Sequence, residues 1–222
     1  MPENGSVRIS RLVMWPIVIT LVITLFRLEG ELHQWSGVFF NRSAGGLGAI
    51  VGIAWLPFIF GPYFAAKLAG TGERPSSNGR VVLYGALGFI VMIGGGMLAA
   101  KTPPGLLSGT TMLGLLLVVA SVVVQFMAWG RLGTTLLAYA FGARIPVAII
   151  MFYAMRGNWG THYDALPGNY AGPTDLMGKY VAEALIPQFI YWIAYTMIIG
   201  TLAAGVYMLI AHRTARTVAQ PA

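Results

Sequence analysis

The chain has 222 residues, of which 57% are hydrophobic and only 9% charged, with a net charge of +7 and no cysteine. A soluble domain carries about 25% charged residues, so water is not the only solvent of this fold. The absence of cysteine excludes disulfides, thiolate zinc sites, iron–sulfur clusters and a cysteine nucleophile together.

Six long apolar segments follow one another. The first, Leu12–Leu28, is short against the roughly 20 residues a spanning helix needs. Arg11 and Arg27 bound it and are expected to snorkel to the interfaces. It begins like a secretory signal, but "RLEGELHQW" lacks a small-residue cleavage pattern, so an uncleaved first helix is expected. In the loop over 29–46, Leu28, Leu32, Trp35 and Phe39 recur at helical spacing. They predict a short interfacial helix with Glu29 and His33 on its wet face.

The second segment, Leu47–Ala69, contains Pro57, Gly61 and Pro62, and a GxxxG at Gly48 and Gly52. The third, Val81–Ala100, carries Gly85, Gly88 and the run Gly94–Gly96, small residues that let membrane helices approach closely. The fourth, Leu106–Trp129, holds a lone amide, Gln125, expected to join helices. The fifth, Leu132–Met155, contains Gly142, Arg144 and Pro146. Breaks in the second and fifth segments fall at matching places in two three-helix halves, a pattern of transporters with inverted repeats. The halves show no residue-level match. The loop over 156–179, with "RGNWGTHYDALPGN", sets Trp159, Tyr163 and Tyr170 at interfacial depth. The last segment is Tyr180–Ala211.

Lys and Arg at alternate ends of the segments number eight on one side and five on the other, which predicts both termini in the cytoplasm. These basic residues lie between apolar runs rather than on one face, so nucleic acid is not an expected partner.

Two places carry candidate chemistry. Arg144 lies midway along the fifth segment, where a charge is costly and usually faces the protein interior. Its expected ligand-binding company is Glu183, Gln188 and Tyr191 of the last segment, with Glu183 too shallow for a direct pair. The simpler reading has Arg144 bonded to the Gly142 carbonyl, which Pro146 frees. The second place is the outer polar cluster of Glu29, Glu31, His33, His162 and Asp164. "ELH" and "THYD" each set a histidine two residues from a carboxylate, a donor set suited to a divalent metal or to acid–base work. His162 and Asp164 are its candidate catalytic residues. No H-E-x-x-H, nucleophile elbow or Walker loop is present, and water-facing loops also hold the charges a bilayer excludes. No histidine lies deep in a span, so no haem is expected within the bilayer.

The expected fold is all-α: one polytopic domain over 1–222, a bundle of six transmembrane helices in the cell (inner) membrane. The expected function is a non-enzymatic transporter-like or channel-like bundle, or a subunit of a membrane assembly. Its expected partners are the lipid bilayer and other membrane subunits or a second copy. The alternative is a membrane-embedded enzyme or metal-binding protein working at its outer face through His162, Asp164 and the first-loop Glu and His residues.

Overall fold

The computed structural model describes residues 8–45 and 49–218, with side chains as far as Ala211. The described residues form helices and no strand. They are α1 (Ile9–Leu32), α2 (Leu56–Gly70), α3 (Asn78–Ala99), α4 (Gly109–Ala128), α5 (Gly130–Gly157), α6 (Leu176–Tyr180) and α7 (Trp192–Val218). Two π-helical turns, Val181–Leu185 and Pro187–Tyr191, join α6 to α7. Five helical stretches are long and apolar enough to cross a membrane: α1, α3, α4, α5 and Leu176–Ala211, with mean hydropathies between 1.8 and 2.3. Large apolar side chains such as Ile90, Met97 and Leu116 stand more than half exposed on α3 and α4, as a multi-pass membrane protein requires.

α1 runs further than the segment Leu12–Leu28 and absorbs Glu29 and Glu31 into its last turn. No separate interfacial helix forms at Leu28–Phe39. Gln34 takes a left-handed conformation, φ 55°, and closes the helix. The Gln34 N–H donates to the Glu31 carbonyl at 3.2 Å and the Trp35 N–H to Gly30 at 2.9 Å, the two bonds of a Schellman stop. Trp35 and Phe40 then pack edge-on against Phe26.

The second apolar segment yields a helix of only 15 residues. That is about 22 Å of rise, short of the roughly 30 Å hydrocarbon core. Pro57 sits in its first turn, where a missing N–H costs nothing, and residues 50–55 run as turns before it. α2 is nonetheless central. Phe60 and Phe64 pack edge-on against Tyr139 of α5, and Gly61 touches the Gly200 backbone of α7, where a side chain would collide. Gly48, its expected GxxxG partner, lies outside the described residues.

α3 and α4 form a tight hairpin. A Cβ on Gly95 would stand 2.6 Å from the Gly114 carbonyl oxygen, whereas Gly94 faces open space. Gln125 reaches from α4 to the Tyr84 carbonyl of α3 at 3.4 Å and bonds Ser121 at 3.0 Å, as a joining amide does.

α5 continues unbroken through Pro146. The irregular helix is the last one. Pro187 has no N–H to donate to the carbonyl one turn back, and the π-helical turns lie on either side of Ile186. Leu12, Leu68, Val81, Trp129, Leu132 and Met208 share one buried cluster. The starts of α1, α3 and α5 therefore meet the ends of α2, α4 and α7 at one end of the bundle. The loop residues 33–45 and 49–55 and the loops 100–108 and 158–175 gather at the other.

Candidate functional site

At the loop end a cavity of about 280 Å³ opens between α1, α5, the π-helical turns and the loop after α5. Arg27, Arg144, His162, Glu183, Gln188 and Trp192 line it, together with Thr24, Ile53, Met151 and Tyr163.

One wall is built on Glu31, which is 1% exposed. The i,i+4 spacing on α1 places Arg27 Nε 2.7 Å from Glu31 Oε1, and Arg27 Nη2 also donates to the Asn41 carbonyl at 3.0 Å. Arg27 is thus buried and paired, not extended to the interface. Across the fold, the His162 backbone N–H donates to Glu31 at 2.8 Å and its ring Nδ1–H at 2.6 Å. A carboxylate only accepts, so the tautomer follows: Nδ1 carries the proton and Nε2 is the ring's acceptor. Burial pushes the His162 imidazole below its ordinary pKa, against the opposing pull of Glu31. The Tyr163 hydroxyl donates to the Thr24 carbonyl at 3.2 Å, and burial raises its pKa.

The loop that presents His162 is shaped by Asp164. Its carboxylate accepts from the Gly160 N–H at 2.9 Å and from the N–H and hydroxyl of Thr161 at 2.7 Å each. Asn158, left-handed at φ 49°, releases the chain from α5 into this loop.

The opposite wall is Arg144, 4% exposed. Its guanidinium lies over the Trp192 ring, 4.5 Å from the centroid. Nη1 donates to Gln188 Oε1 across a long 3.4 Å, and Nε has no partner. Among the described residues its hydrogen bond goes to Gln188 and not to the Gly142 carbonyl, and no carboxylate pairs with it. The π-helical turns carry Glu183, Pro187 and Gln188 to the same cavity.

The residues singled out from the sequence therefore separate. Arg144, Glu183, Gln188 and His162 share the cavity. Tyr191 does not line it but faces Gly96 of α3. Glu31 and His162 meet each other, Asp164 serves its own turn, and Glu29 pairs with His33 at 3.2 Å on the exposed end of α1. Among the described residues, no group of three or more His, Asp and Glu side chains is placed to hold a metal ion. Thr24, Arg27 and Trp192 belong to the site without having been singled out for it. The i,i+4 spacing of Arg27 and Glu31 was the available signal for one of them. No family model matches the chain, and no curated protein or solved structure shows significant similarity to it.

Proposed function

We propose that this membrane protein binds a small ligand through a carboxylate or similar anionic group in the loop-end cavity, as a transporter-like bundle rather than an enzyme. Arg144 carries this reading. An arginine at membrane depth costs about 2.5–3.5 kcal/mol on insertion scales, and this one has a free Nε and no carboxylate partner among the described residues. A ligand anion would meet both needs. Two features support movement around the site: the short helix α2, preceded by turns that border the cavity at Ile53 and Ala54, and the π-helical turns bearing Gln188. Non-helical backbone at membrane depth is tolerated where it lines a cavity, and π-helical turns recur at functional sites.

In this reading the chain crosses the cell membrane six times, with α2 and residues 50–55 together making the second crossing. Both termini are cytoplasmic, following the lysine and arginine bias, and the cavity faces outward. The test is thermal unfolding of the detergent-purified protein with a panel of small monocarboxylates and amino acids. At least one member should stabilise the wild type and not Arg144→Gln. Stabilisation by none, or equal stabilisation of both, would overturn the reading.

A second reading has its own observation. A histidine whose Nδ1–H is held by a buried carboxylate, with Nε2 as acceptor, is arranged as a general base. On that reading His162→Gln yields a stable protein that binds ligand and turns nothing over. Unchanged turnover in that variant would remove it.

A further inference from the structure

The cavity contains a second charge that the binding of an anion leaves unexplained. Glu183 lines it, as Arg144 does. Yet among the described residues no salt bridge joins Arg144 to Glu183: Arg27 pairs with Glu31, and the remaining carboxylate contacts of this kind are to the histidines His33 and His162. Arg144 instead contacts Gln188 and the Trp192 ring, and Glu183 stands on the first π-helical turn.

Charge arithmetic then selects among ligands. Arg27 and Glu31 cancel within the wall. His162 is neutral near pH 7, because burial lowers its pKa. Asp164 does not line the cavity, its carboxylate being turned to the N–H groups of its own loop. What remains among the lining residues is one positive and one negative group, Arg144 and Glu183, with no ion pair between them, in a cavity of about 280 Å³. A monoanion would leave one uncompensated negative charge at the half-buried Glu183, and a simple amine one uncompensated positive charge at the buried Arg144. A poorly hydrated interior penalises both. A molecule carrying both charges leaves none.

Resting on the carboxylate-binding reading, we propose that the ligand is a small zwitterion of the amino-acid or betaine class, its carboxylate on Arg144 and its cationic nitrogen toward Glu183. The volume restricts it to the small end of ligand pockets, which span roughly 300–1,000 Å³.

The test is calorimetric titration of the purified protein with L-alanine, glycine betaine and propionate. At least one zwitterion should bind at least about tenfold more tightly than propionate. Glu183→Gln, close to isosteric, should erase that preference by weakening the zwitterion while leaving propionate unchanged or tighter. A near-native unfolding temperature of the variant shows that it folds, and Glu183→Asp serves as a second variant that keeps the charge and should retain the preference. Propionate binding that depends on Arg144 and equals or exceeds both zwitterions would overturn this inference and leave the carboxylate site standing. A preference unaltered by Glu183→Gln would also overturn it. Binding of none of the three would remove both.

Discussion

Glu31 is the joint on which the cavity wall depends, and Glu31→Gln should show it. The side chain is 1% exposed and accepts from Arg27 Nε at 2.7 Å, the His162 backbone N–H at 2.8 Å and the His162 ring at 2.6 Å. Glutamine keeps an acceptor but removes the charge, leaving the buried Arg27 guanidinium without its counter-ion. Breaking a buried pair costs about 3–5 kcal/mol, whereas an exposed i,i+4 pair is worth about 0.3–0.5 kcal/mol. Because glutamine retains one bond, the lower end, about 3 kcal/mol, is expected. Reversible unfolding in mixed detergent micelles measures it, and hydrogen exchange over residues 158–175 reports whether the loop lifts from α1. The double variant Arg27→Gln/Glu31→Gln should lose less than the sum of the single losses, because it buries no orphaned charge. A loss near 0.5 kcal/mol with unchanged loop protection would refute the reasoning, since it would mean that the pair behaves as if exposed.

Other outcomes follow from the same geometry. His162 has a folded-state pKa below its ordinary value of about 6.5, so the unfolded chain binds the proton more readily. Its stability contribution is therefore complete above about pH 6.5 and is lost as the pH falls through and below that value. Unfolding temperature should drop on acidification, with a shallower drop in His162→Gln; identical pH profiles would contradict this. On the α3–α4 hairpin, Gly95→Ala should cost about 1–3 kcal/mol through collision with Gly114. Gly94→Ala, facing open space, should be neutral or up to about 1 kcal/mol stabilising. Equal effects in unfolding assays would mean that the two helices do not meet at Gly95.

The apolar runs made the helical, membrane-spanning character legible, and chain order alone brought Arg144 of the fifth run near Gln188 and Glu183 of the last. Other features were hidden for physical reasons. Residues 50–55 are as apolar as a helix, so composition could not separate turns from helix there, and only Pro57 marked the true start. α1 ends at a glutamine in the left-handed region with no glycine or proline beside it, so nothing but the i,i+4 spacing hinted that the helix would run on through Glu31 and set it one turn from Arg27. Arg27 looked like an interfacial anchor because its partners, Glu31 and the Asn41 carbonyl, lie beyond the apparent end of the apolar run, and Glu31 in turn is met by His162 from a loop more than 130 residues further on. Pro146 and Pro187 look alike in the sequence. The first is carried inside an unbroken α-helix and the second lies among π-helical turns.

Native mass spectrometry of the purified protein, with the panel of small carboxylates and amino acids added, tests the central assignment of Arg144 most directly. A one-to-one small-molecule adduct is expected on the wild type and is expected to be missing from Arg144→Gln of the same fold. No adduct on the wild type, or equal occupancy in the two proteins, would contradict it.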